Sequence, residues 1–218
     1  RQSAQDAKVW AVVKANAYGH GIERAFEGLR GADGFALLDL QEAERVRALG
    51  WRGPILLLEG VFEQRDLELC SRLDLWHTVH CDEQIDMLAT HKTNVPHRVF
   101  LKMNSGMNRL GFTPERYRSA WTRLNVLPQV DEISLMTHFS DADGPAGVAA
   151  QMRVVARWGR MNRCRSRRTV HSRDTHIRTQ DNRHTNLPIL RMAPSRNRGR
   201  HTWSAHRDRR RERTVFVD

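Results

Sequence analysis

From residue 8 onward, short apolar runs alternate with segments whose apolar residues recur at helical spacing. This alternation predicts βα units around a parallel sheet. Six runs qualify as strands, at residues 8–14, 34–38, 55–58, 75–80, 98–103 and 133–138. They are nearly continuous in apolar character, as strands buried on both faces should be. The helix after the second strand carries its own boundaries. Asp39 and Glu42 have capping-box spacing, Ala43, Val46 and Leu49 form an apolar stripe, and Gly50 stands where a terminating glycine belongs. After the fifth strand, Thr113 is placed to cap a helix, with Pro114 and Glu115 in its first turn. Asp82 is placed to cap the helix whose Ile85, Leu88 and Ala89 face the sheet. A spacing of about 25 residues per unit is the pace of an eight-unit barrel. The predicted architecture is therefore α/β: an incomplete (β/α)8, TIM-type barrel of about six βα units over residues 1–157, two units short of closure.

Charge changes the picture in the last third of the 218 residues. The whole chain carries +11, yet residues 152–218 hold 19 Arg, no Lys and 5 acids, a net of +14. The first 151 residues hold 17 basic and 20 acidic side chains, a net of −3. Residues 164–181 have neither a strand nor a helix period, and only residues 187–192 offer a short apolar cluster. Such a stretch buries too little apolar surface to offset its ordering entropy. Residues 158–218 are accordingly expected to be an irregular, Arg-rich segment, disordered or translated in a shifted reading frame. An arginine-rich nucleic-acid arm is the rival, but arms of that kind interleave Lys, Gly and aromatic residues, and here only Trp158 and Trp203 supply Trp or Tyr rings. Nucleic acid is not expected as a partner, and no run is long enough for a membrane span. Three cysteines, Cys70, Cys81 and Cys164, without C-x-x-C spacing fit a reducing cytoplasm better than a disulfide framework or a thiolate zinc site. The N-terminus has no leader pattern and is read as beginning inside a longer sequence.

In a parallel barrel, chemistry gathers where strands end, and the polar residues there are Lys14, Asp39, Glu59, His80, Lys102 and His138. Lys14 leaves an apolar strand into the small-residue loop Ala15-Asn16-Ala17-Tyr18-Gly19-His20-Gly21. Partial desolvation of an amine in such a place frees it to attack a carbonyl, although position alone equally describes an ordinary solvated lysine. His77 and His80 invite a metal reading, but three residues apart on a strand they point to opposite faces and cannot close on one ion.

Residues 12–21, Val-Val-Lys-Ala-Asn-Ala-Tyr-Gly-His-Gly, resemble the cofactor-lysine motif of the alanine racemases. Two further segments agree in order and spacing. Residues 102–112 resemble that family's K-x-[DN]-[ST]-G-M-x-R-L-G-F segment, and Met136-Thr137-His138-Phe139-Ser140 resembles its T-H-F motif. The resemblance covers about residues 1–155. It implies pyridoxal 5′-phosphate as cofactor, held by Lys14 as a Schiff base, and a base function for Lys14 on one face of Cα. It further implies a phosphate contact from Tyr18, cofactor and substrate-carboxylate contacts from Arg109, and packing of His138 against the cofactor ring. Lys102 corresponds to a lysine that is carbamylated in some members and steadies the arginine.

The implied reaction is interconversion of L- and D-alanine, supplying D-alanine for peptidoglycan, by an enzyme that is a homodimer in the family. Racemisation needs acid-base groups on both faces of Cα, and the family draws the second from a tyrosine of a C-terminal domain. The tyrosines here are Tyr18 and Tyr117, so low or no activity is expected of this chain, read as truncated. Another pyridoxal-phosphate barrel, acting on a different amino acid or only binding the cofactor, is the nearest alternative.

Overall fold

The computed structural model describes residues 7–166 and 213–216, with the backbone alone from residue 159 onward. All strands are parallel and stand in sequence order. They are β1 (Trp10–Val12), β2 (Gly34–Leu37), β3 (Ile55–Leu57), β4 (Trp76–Val79), β5 (His97–Met103), β6 (Val130–Thr137) and β7 (Arg213–Phe216). The single turn α1 (Lys14–Tyr18) and the helix α2 (Ile22–Leu29) follow β1. The remaining helices, α3 (Leu40–Ala48), α4 (Asp66–Arg72), α5 (Asp82–Thr90), α6 (Pro114–Asn125) and α7 (Ala149–Ser166), each follow one strand. All six expected strands form.

Side chains alternate between two apolar layers, as the period of a strand requires. Phe35, Leu37, Ile55, Leu57, Val79, Val99 and Leu101 face the helices, whereas Ala36, Leu56, Phe100 and Met136 pack together on the other face with Trp10, Val12 and Trp76. The second layer establishes the curvature. The rings of Trp10 on β1 and Phe100 on β5 have centroids 5.9 Å apart. At about 4.8 Å per strand, a flat sheet would hold β1 and β5 about 19 Å apart. The sheet therefore curls around this layer, and side chains on its inner face converge.

Between sheet and helices, the Tyr117 hydroxyl of α6 donates to the Leu101 carbonyl at 2.7 Å. Trp158 of α7 stacks edge-on against the Tyr117 ring at 4.9 Å. Trp158 thus lies inside α7 as a buried core residue. At the amino ends of the strands, Arg47 donates to the carbonyls of Trp51, Gly53, Leu73 and Asp74, binding the end of α3 to the loops around it.

Three local expectations are corrected. Asp39 caps α3 through the Gln41 N–H at 2.6 Å, but Glu42 reaches away from the helix to the backbone of Asn16. Cys81, not Asp82, occupies the cap position of α5; the Asp82 carboxylate is bound instead by Arg116 and Arg123 of α6. Thr113 stands at the cap of α6 without donating or accepting a side-chain capping bond. Most of the Arg-rich segment expected over residues 158–218 lies outside the described residues. Of it, residues 158–166 continue α7 past the expected boundary, and Arg213–Phe216 forms β7, pairing with Ser134–Thr137 of β6. Thr-Val-Phe suits a pleated strand, but four residues are too few for periodicity to reveal.

Candidate active site

The inner-face parity that carries Trp10 and Val12 continues to Lys14, and that of Phe100 continues to Lys102. His80 and His138 continue the inner-face parities of Thr78 and Met136 in the same way. Curling of the sheet then brings the carboxyl ends of separate strands to one mouth.

Lys14 is half-buried, and the chain beyond it takes an unusual course. Ala15, Asn16, Ala17 and Tyr18 all have φ between 52° and 54°, four successive non-glycine residues in the left-handed region. Each costs on the order of 1–2 kcal/mol. Such a turn persists only where its surroundings over-determine it, and here they do. The Ala17 N–H donates to the Val13 carbonyl at 2.8 Å and the Gly21 N–H to the Asn16 carbonyl at 2.9 Å. From α3, Glu42 Oε1 accepts the Asn16 N–H at 2.6 Å. Asn16 Oδ1 in turn accepts from the Ile22 N–H at 3.2 Å and from Arg45 Nη2 at 2.9 Å, while Arg45 also pairs with Glu23. The turn holds the Tyr18 ring in solvent, 60% exposed, with its centroid 6.0 Å from Lys14 Nζ.

Lys102 is buried on the inner face of β5. Burial is the main cause that holds its ammonium below the usual lysine range, followed by the positive charge of Arg109; Lys14 adds to the depression and Glu59 opposes it. The same mouth contains His80, lowered first by burial and then by Lys102, with Glu59 pulling the other way. Lys14, Lys102, Arg109, Glu59 and His80 thus share one electrostatic environment.

Arg109 is exposed on a loop spanning residues 104–111 that is closed at its base. The Asn104 N–H donates to the Phe112 carbonyl at 2.9 Å, and the Phe112 N–H to the Lys102 carbonyl at 3.0 Å. Asn104 Oδ1 accepts the N–H groups of Gly106 and Asn108, shaping the turn below Arg109. Gly111 lies against this base at φ +116°, where a Cβ would stand 2.7 Å from the Asn104 nitrogen. His138 follows β6 half-buried, at the same end of the sheet. His77, by contrast, is buried on the helix side of β4 with His97 and His91, away from His80.

Two buried glutamines that sequence reasoning passed over hold these loops. Gln84 of α5 accepts the His80 N–H at 2.8 Å and donates to the carbonyls of Glu59 and Val61. Gln151 of α7 joins the loops after β5 and β6. The available signal was a polar residue heading an apolar helical stripe: Gln84 before Ile85 and Leu88, and Gln151 before Val154, Val155 and Trp158. Glu42 and Arg45 were missed because their partners lie on a different unit.

An α/β barrel chain whose inner-face cations gather around a strand-end lysine is the class that fold and site define together. The family model described as the N-terminal domain of alanine racemase matches residues 1–186, and the chain belongs to that family. It is 85% identical over 156 residues to the alanine racemase of Albidiferax ferrireducens, covering 72% of this chain and 42% of that protein. To the alanine racemase of an Acidovorax species it is 86% identical over 154 residues, covering 71% of this chain and 42% of the relative. Among solved structures, the biosynthetic alanine racemase of Pseudomonas aeruginosa superimposes with a TM-score of 0.66 at 40% identity, over 70% of this chain and 44% of that one. The chain thus spans less than half the length of each of these three relatives.

Proposed function

We propose that this chain carries the cofactor-binding half of an alanine racemase site, with Lys14 as the attachment point for pyridoxal 5′-phosphate. One observation carries the reading: Lys14 leaves β1 at the same end of the sheet as buried Lys102 of β5 and the loop bearing Arg109, and the Lys102 ammonium is held low first by burial and then by the charges of Arg109 and Lys14, against Glu59. Such an excess of positive charge fits a ligand bearing a phosphate and a phenolate, and Lys14, the less buried of the two amines there, is the one in reach of its aldehyde carbon. When bound, the cofactor draws electrons from the amino acid's Cα and makes its proton removable.

This chain's residues account for the rest. Lys14, displaced by the substrate amine, takes or returns a proton at Cα from its own face. Arg109 presents a planar fork to the substrate carboxylate and the phenolic oxygen. Tyr18, held out by the left-handed turn, reaches the phosphate with its hydroxyl. His138 supports the ring from β6, and Lys102 steadies Arg109 in either its free or carbamylated form. Alanine as substrate rests on the names of the relatives. The same relationship supports D-alanine supply in the cytoplasm and pairing with a second copy. No helix among the described residues is long and apolar enough to cross a membrane.

The far face of Cα is the weak point. Tyr117 is committed to the core, its hydroxyl bound to Leu101, which leaves Tyr18 as the tyrosine at the mouth. Loss of one acid-base partner costs about 10²- to 10⁴-fold in rate. Offered L-alanine and D-alanine separately, the loaded chain is therefore expected to exchange the α-proton of one enantiomer with deuterium oxide much faster than it inverts the centre, as read by proton NMR and chiral chromatography. Exchange no faster than in Lys14→Ala would overturn the reading.

A further inference from the structure

We propose that Gln151 is a positioning residue for the cofactor end of the barrel, a single side-chain amide that locks the Ser105 loop to the backbone of His138. The inference rests on the proposed cofactor site, and the geometry supports it independently. Gln151 is buried, at 7% exposure, in the first turn of α7. Its Oε1 accepts the Ser140 N–H at 2.9 Å and the Ser140 hydroxyl at 3.1 Å. Its Nε2 donates to Ser105 Oγ at 3.0 Å and to the His138 carbonyl at 3.1 Å. Two donors and two acceptor sites are the whole capacity of an amide, so every bond is used and the orientation is unique.

The bonds beyond it have a fixed direction. Thr137 Oγ1 has one proton and gives it to the Met103 carbonyl at 2.9 Å. The 2.7 Å contact between Ser105 Oγ and Thr137 Oγ1 must then be donated by Ser105, and Ser105 must accept from Gln151. The relay thus runs from Gln151 through Ser105 and Thr137 to the end of β5. At one end it fixes the main chain of His138. At the other it fixes Ser105, which opens the loop bearing Arg109. A carboxylate at position 151 can still accept from Ser140 but has no proton for Ser105 or His138.

Two readouts test this on the full chain. In the cofactor-free protein, amide hydrogen exchange across residues 137–141 is expected to accelerate in Gln151→Glu, while the segments of β2 and β3 are unchanged. By absorbance titration, Gln151→Glu is expected to bind pyridoxal phosphate about tenfold more weakly than wild type, the loss of one to two buried hydrogen bonds. Ser105→Ala should weaken it in the same direction by a few-fold, with the double variant less than additive. Arg47→Ala lowers stability at the amino ends of the strands, away from these loops, and its affinity should match wild type at temperatures where all variants are folded. If Gln151→Glu fails to fold, Ser105→Ala decides alone. Unchanged exchange, or affinity within twofold of wild type in the folded variant, overturns the proposal. Failure of wild type itself to bind overturns the cofactor reading and this role with it, while accelerated exchange would still establish the clasp.

Discussion

Below neutral pH, the buried histidines on the helix side of β4 and β5 should unfold this domain before its carboxylates do. His77 and His97 are 1% and 3% exposed, with ring centroids 5.1 Å apart, and His91 stands 5.3 Å from His97. Burial is the larger cause and neighbouring imidazoles the smaller, and together they push His77 down to about 3 and His97 to about 4. An unfolded histidine titrates near 6.5. Between these values the unfolded chain takes up protons that the folded chain refuses, so stability is full above about pH 6.5 and falls as pH drops toward 4. Each group removes about 1.4 kcal/mol per pH unit in that window. Two such groups between pH 6.5 and 4.5 remove about 5 kcal/mol, comparable with the whole stability of many domains. Urea unfolding midpoints at half-unit steps from pH 7.5 to 4.5 should show this fall, and His77→Leu, which cannot take up a proton, should halve its slope. A wild-type midpoint flat across the window, or a His77→Leu profile parallel to wild type, would refute the reasoning.

Other substitutions probe the loops and the core. Gly60→Ala should cost about 3 kcal/mol in urea unfolding, because φ is +76° and a Cβ would stand 2.0 Å from the Thr78 carbonyl oxygen. Tyr117→Phe should cost about 1–2 kcal/mol by the same assay, leaving the Leu101 carbonyl without its buried donor. Asn16→Ala removes the acceptor shared by Ile22 and Arg45 and puts a residue less tolerant of left-handed backbone into the Lys14 turn; about 2 kcal/mol should be lost, with faster amide exchange over residues 14–22.

The strands were legible because burial on both faces leaves little choice of residue: 55–58 is Ile-Leu-Leu-Leu, and its first three residues form β3 as expected. Punctuation served where it is local. Gly50 takes φ +90° just past α3, and Pro114 opens α6. Legibility failed where a polar side chain serves a distant partner. Glu42 satisfies the capping-box rule on paper, yet the site it relieves is the Asn16 N–H, 26 residues away on another unit. The left-handed turn of residues 15–18 was hidden for a related reason, since neither alanine nor tyrosine signals φ > 0 and bonds from Glu42 and Arg45 of α3 add to the turn's own in holding it there. His77 showed in the sequence only as one half of a rejected metal pair. Its proximity to His97 depends on strand register, with β4 laid beside β5 so that His77 meets Val99. Lys14, Lys102, Arg109, Tyr18 and His138 were singled out through contiguous motifs, and the parallel run of the strands explains why Lys14, Lys102 and His138, far apart in sequence, lie at one end of the sheet.

The central claim is that the amine presented from β1 bonds an aldehyde, and chemical trapping addresses it most directly. Soluble full-length chain would be incubated with pyridoxal phosphate, reduced with borohydride, digested, and mapped by mass spectrometry beside Lys14→Ala. The account predicts a stable pyridoxyl adduct on the peptide containing Lys14, well above any other lysine and missing from the variant. Labelling spread evenly over Lys8, Lys14, Lys92 and Lys102, or equal in both proteins, would contradict it.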